Sequence, residues 1–230
     1  MRVGGRVAGE VVNIKVFIYN PKLFREFIRL AKEYGITFSV INDLCSELNT
    51  QSKDTLLVID SEATRVIMTE CRINLRNITG KVVTLRGVHD VKRVILETLG
   101  VGGKPVILCG IDLGKEIAYA ILSNDVLVDL GYSKDIDEFI NKLKSVVSEL
   151  EPKRVIVRVG EPSDRRLINL AFEILSRCLL EGFETYLVNE ARSSKELSNY
   201  LVPSIKGLAV PKDSNLRAAL ALALREGKRE

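Results

Sequence analysis

Residues 106–122, VILCGIDLGKEIAYAIL, constrain the chain more than any other stretch. They read as an apolar strand at 106–109, a tight crossing at Gly110, and Asp112 followed by Gly114. A second strand, 117–122, runs back beside the first. A carboxylate is thereby set where Val, Ile and Leu otherwise fill the strand, and an ionised carboxylate is costly to bury unless paired or bound to a cation. Gly110 and Gly114 let the backbone turn tightly and let a phosphate or metal approach. A hydrogen-bonding role for Asp112 within a turn is the simpler alternative.

Before this stretch the pattern alternates between strand and helix. Strands are expected at 14–19, 36–41, 55–60 and 81–85, and helices at 22–34, 43–48, 61–71 and 90–99. In the first helix Leu23, Phe27, Leu30, Ala31 and Tyr34 recur on one face. Such alternation implies a parallel sheet with helices on its faces, here a small flavodoxin-like or Rossmannoid α/β domain. Ligands of such sheets sit at the carboxyl ends of strands, near Asn20, Asp60 and Arg86, where no chemical constellation is recognisable. A docking or dimerisation role is the expectation. Gly4, Gly5 and Gly9 precede a strand instead of following one, so they do not make a dinucleotide loop. The run GVGGKP at 100–105 is the expected boundary, giving domains at 1–103 and 104–230.

After the hairpin come a strand at 126–130, an amphipathic helix at 135–150, a strand at 154–159 followed by Gly160-Glu161-Pro162, and a helix at 163–181. A strand at 184–188 ends in Asn189-Glu190. A short helix at 195–201, a loop through Pro203 and Gly207, and an Ala/Leu-rich helix at 215–225 complete the chain.

Net charge is +4 with a pI near 8.8, which permits a nucleic-acid partner without demanding one. Lys115, Arg158, Arg165, Arg166, Arg192, Lys195 and Arg217 are available for phosphate contact, and no aromatic platform for base stacking is evident. Histidine triads and multi-histidine metal sites are excluded, because His89 is the only histidine. Cys45, Cys71, Cys109 and Cys178 form no CxxC pair and are expected as reduced core residues. With no membrane-length apolar run and no signal peptide in MRVGGRVAGEVV, a cytoplasmic location without membrane attachment is expected.

Three strands, a helix, a strand, a helix, a strand and a last helix is the element order of the ribonuclease H-like fold. Within it, GIDLGKEIAYAIL, RVIVRVGE, VNEARSS and NLRAALALAL make residues 106–230 resemble the RuvC-like and YqgF-like resolvase group. The resemblance implies a nucleic-acid-binding protein acting on DNA or RNA, branched substrates included. It implies a Mg²⁺- or Mn²⁺-dependent endonuclease and a homodimer. It also implies that Asp112, Glu161, Glu190 and Asp213 are the catalytic and metal-binding residues. Asp112 matches the hairpin aspartate, Glu161 the fourth-strand glutamate, and Glu190 the acidic residue after the fifth strand. Asn189 replaces an aspartate there.

Asn215 and Ala218 stand where the group carries acids on the last helix, and Asp213 is the local substitute. Taken alone, Asp213 is most simply a helix N-cap, and Glu161 and Glu190 are ordinary loop glutamates. These departures keep open a catalytically inactive ribonuclease H-fold module that binds nucleic acid or protein. GIDLG is also similar to the phosphate hairpin of sugar kinases and actin-like ATPases, which need two such lobes in more chain than follows residue 105.

Overall fold

The computed structural model describes residues 13–49, 52–189, 205–209 and 212–225. The expected helix at 195–201 lies outside them, as do Glu190, Arg192 and Lys195. The chain divides into two compact units, Met1–Gly100 and Val101–Glu230.

In the first unit β1 (Asn13–Phe17), β2 (Ser39–Val40), β3 (Thr55–Asp60) and β4 (Lys81–Leu85) form a sheet in the order β2-β1-β3-β4, every pair parallel. The unbroken apolar run of β3 suits an inner strand covered on both faces, and all six of its residues are buried. Helices α1 (Pro21–Glu33), α2 (Leu44–Asn49), α3 (Ser61–Thr69) and α4 (Val88–Thr98) alternate with the strands. The expected strand at 36–41 shortens to Ser39–Val40. The Ile36 N–H still donates to the Ala31 carbonyl at 2.8 Å to close α1, so the chain reaches β1 only later. Helix α4 begins two residues before Asp90, because the Asp90 carboxylate reaches back to accept from the Arg86 and Gly87 N–H groups at 2.8 and 3.2 Å.

Asp60 is 2% exposed and ties the start of α1 to the start of α3. The Asn20 N–H donates to its Oδ2 at 2.7 Å and the Ala63 N–H to its Oδ1 at 2.9 Å. The cysteines of the first unit also correct the sequence expectation. Cys45 and Cys71 form a disulfide, with Cα atoms 5.2 Å apart. They meet because α2 and the end of α3 pack on one cluster that includes Leu44, Leu48, Val66 and Ile67, a long-range relation that cysteine spacing does not encode.

The second unit has β5 (Val106–Leu113), β6 (Ile117–Ser123) and β7 (Val126–Ser133) as an antiparallel meander. Strands β8 (Arg154–Glu161) and β9 (Glu184–Asn189) lie parallel to β5. A two-residue strand, β10 (Lys206–Gly207), pairs with β7 where a loop was expected, and the sheet order is β10-β7-β6-β5-β8-β9. Helices α5 (Ile136–Leu150) and α6 (Arg165–Leu180) cover one face; the Tyr119 and Phe139 rings meet there at 5.9 Å. The last described helix, α7 (Ser214–Leu224), covers the other.

Strand β5 does not end at Cys109. It runs straight through Gly110, where α7 crosses; a Cβ on Gly110 would fall 2.0 Å from the Ala219 carbonyl oxygen and 2.3 Å from the Ala223 nitrogen. The small residues Ala118, Ala120, Ala219 and Ala223 surround this crossing, so helix and sheet approach backbone to backbone. Cys109 and Cys178 remain free thiols in the core, and burial pushes both pKa values up. No helix among the described residues is long and apolar enough to cross a membrane.

Candidate nucleic-acid interface

Strands β5, β7, β8 and β9 all point their carboxyl ends to one edge of the second sheet. The helices return in the opposite sense, so α5 and α6 begin at that edge, each after the strand that precedes it. Helix α7 begins there too: the Asn215 side-chain nitrogen lies 3.9 Å from where a Gly114 Cβ would be. Three positive helix ends thus meet the strand ends. Asp135, Asp164 and Asp213 cap them, accepting from the backbone N–H groups of Glu138 at 2.8 Å, Arg166 at 2.9 Å, and Asn215 and Leu216 both at 3.0 Å.

The same edge carries Lys115 in the β5–β6 turn, Lys134 after β7, Arg165 and Arg166 opening α6, and Lys212 and Arg217 around the start of α7. Arg217 is half-buried and the other five are exposed. None of these cations forms an ion pair among the described residues, whereas Lys142, Lys144, Arg154 and Arg177 of the same unit all do. Lys115 and Lys134 also line a cleft of about 330 Å³ between the β5–β6 turn and the starts of α5 and α6, with Ile117, Ile136 and Leu170 among its walls. The edge therefore carries six cations, with Asp135, Asp164 and Asp213 turned onto backbone N–H groups and Glu116, Asp137 and Glu173 also lining the cleft.

The expected site residues are distributed as follows. Asp112 lies near the end of β5, on the face covered by α7, and is opposite Ala118, which is in turn opposite Tyr132 on β7. These three side chains line up on one face of the sheet. The Tyr132 hydroxyl donates to Asp213 Oδ1 at 2.6 Å. That bond, followed by burial and the nearby charges of Asp213, Glu116 and Asp112, pushes the Tyr132 phenol up to about 12. In return the Tyr132 hydroxyl, and after it the Leu216 N–H, hold the Asp213 carboxyl below its usual range. Asp213 therefore bonds Tyr132 directly, and Asp112 acts on it through its charge from two strands away.

Glu161 does not join them. Arg158 is level with Gly110, so strand alternation puts Arg158 on the α7 face and Glu161 on the other. Glu190 lies outside the described residues. Among those residues no group of three or more His, Cys, Asp or Glu side chains could hold a metal ion. Asp213 Oδ1 already accepts three hydrogen bonds. Among the described residues, Asp112, Glu161 and Asp213 are not gathered as a divalent-cation cage would require.

Arg158 is not a surface phosphate ligand either. It is 8% exposed beneath α7 and donates through Nη1 to the Ala223 carbonyl, which anchors the end of the helix to β8. Arg225 likewise donates to the Asn189 carbonyl. The residues that sequence reasoning passed over are Tyr132, Lys134 and Lys212. Tyr132 could have been found by extending the alternation of β7 through Gly131.

The sequence matches no protein-family model and no curated protein sequence. Among solved structures, the fold is similar to T. thermophilus RuvC in complex with a Holliday junction substrate. Identity is 21%, the match covers 53% of this chain and 91% of that one, and the TM-score is 0.39.

Proposed function

We propose that the second unit is a ribonuclease H-like domain that binds nucleic acid along the carboxyl edge of its sheet, as a binding module. Support for the fold comes from the strand order: a three-stranded meander whose first strand is central and has two parallel strands added on its other side. The observation that carries the function is the set of six cations at that edge without ion pairs among the described residues, beside three helix N-termini. A phosphate backbone is the ligand that such an edge suits, because cations and helix N-termini both favour repeated negative charge. Branched DNA or RNA, and a homodimer able to meet a twofold junction, belong to the same proposal.

A second reading is the Mg²⁺- or Mn²⁺-dependent endonuclease built on Asp112, Glu161, Glu190 and Asp213. The placement of Asp112 on the same sheet face as Tyr132, which bonds Asp213, favours it. The position of Glu161 and the hydrogen bonds at Asp213 favour the binding module.

Asp112→Asn separates the two, since it keeps shape and removes charge. For a binding module, wild type and variant bind branched DNA equally in EDTA, and neither cuts it when Mn²⁺ is added. Mn²⁺-dependent cleavage by wild type that disappears in the variant would select the nuclease.

A further inference from the structure

Tyr132 combines properties that the phosphate-binding edge does not otherwise explain. It lies one residue before the end of β7, is 37% exposed, and belongs to a strand whose other side chains are mostly covered. Its ring is fixed at both ends, by the strand backbone and by the hydroxyl bond to Asp213. Its neighbour across β6 is Ala118, and the residue before it is Gly131, so no large side chain on either covers the ring. The phenol, pushed up to about 12, stays neutral at any physiological pH. Lys212 and Arg217 flank in sequence the aspartate that holds it, while Lys134 lines the cleft beside α5 and α6 on the other face of the sheet. Among the described residues, Tyr19 and Phe172 are the other exposed aromatic side chains; Tyr19 belongs to the first unit and Phe172 sits in the second turn of α6.

Tyr132 stands beside Asp213, with the charges of Glu116 and Asp112 also acting on it, and the backbone-binding cations lie farther along the same edge. A rigid neutral ring at such an edge can take up an unstacked base, because every base offers a π-face and stacking tolerates any sequence. A ring held in place beforehand loses little freedom when a base arrives. We infer that Tyr132 is a base-stacking residue, and that this edge takes nucleic acid with an unpaired base in preference to continuous duplex. The inference rests on the nucleic-acid-binding function proposed above.

The test uses the full chain in EDTA and a single-stranded oligonucleotide carrying one 2-aminopurine, whose fluorescence falls on stacking. Wild type is expected to quench the probe. Tyr132→Leu is expected to lose the quench and roughly ten-fold in affinity, with the salt dependence of binding and the affinity for blunt duplex unchanged. Tyr132→Phe, which keeps the ring and loses the bond to Asp213, is expected to keep the quench.

Tyr132→Trp gives an independent measurement that does not depend on the Leu variant folding. The chain has no tryptophan, so this indole would be its only one, and unlabelled single strand should quench it more than duplex does. Equal losses from Leu and Phe, or a Trp signal indifferent to single strand, would overturn the inference while leaving backbone binding intact. Failure of wild type to bind any nucleic acid at low salt would overturn the binding function itself, and this inference with it.

Discussion

Gly110 and Ala219 touch backbone to backbone: a Cβ built on the glycine would lie 2.0 Å from the alanine carbonyl oxygen. The contact seats α7 on the central strand, and with it the Asp213 end of the helix at the carboxyl edge. Gly110→Ala therefore forces helix and strand apart, because the atoms in the way are main chain and cannot rotate aside. The loss should reach or exceed the upper end of the usual overpacking range, about 3 kcal/mol. Urea unfolding of wild type and variant measures it, and a loss below about 1 kcal/mol would show that the helix sits less closely.

The disulfide gives a prediction for the first unit. Cys45 and Cys71 are separated by 26 positions, and cross-linking a loop of that length restricts the unfolded chain by about 3.5 kcal/mol. Reduction, or Cys45→Ser with Cys71→Ser, should lower the stability of this unit by a comparable amount. The buried thiols Cys109 and Cys178 should resist alkylation until the second unit unfolds. Alkylation of Cys45 or Cys71 in the folded, unreduced protein would contradict the pairing.

Three of the strand ends that sequence reasoning missed share a cause. Strands β5, β7 and β8 were each expected to stop just before Gly110, Gly131 and Gly160, and each continues beyond its glycine. Glycine weakens a strand by local preference, but in a sheet it also marks where something approaches closely. At Gly110 that is the α7 backbone; at Gly131 it is the Tyr119 hydroxyl, 3.1 Å from a Cβ position. Asp112, Tyr132 and Glu161 all lie past these glycines, so their alignment or separation depended on strand continuity that composition hides.

The apolar faces were legible because their period is local. Phe139, Ile140, Leu143, Val146 and Leu150 of α5 are buried as their spacing requires, and Asp213 is the N-cap that its position before the Ala/Leu run suggests. The Cys45–Cys71 pairing and the burial of Arg158 depend on contacts distant in sequence, and no local signal carries them.

The Tyr132–Asp213 bond should make stability depend on pH at both extremes. The folded state lowers the Asp213 pKa, so this contribution is full above the ordinary carboxyl pKa and is lost as pH falls through the lower folded value. For Tyr132 the shift is upward, from 10 to about 12, so its contribution is full below 10 and is lost as pH rises to about 12. Tyr132→Phe keeps the N-cap, removes the Tyr132 effect and removes the largest contribution to the Asp213 effect. Melting curves should show the gap between wild type and variant widest at intermediate pH and narrowing at each end. A gap that persists unchanged through pH 12 would contradict the bond.

The central claim, that the carboxyl edge of the second unit binds a phosphate backbone, is tested most directly by how affinity for a single-stranded oligonucleotide changes with salt. In wild type the logarithm of the binding constant should fall steeply and linearly with the logarithm of salt concentration, as counterions are released. Replacing Lys115, Arg165 and Arg166 together by Gln should weaken binding and make that slope shallower by about 2, since each lost phosphate contact removes roughly 0.7. An unchanged slope in the triple variant, or no binding by wild type at low salt, would contradict the account.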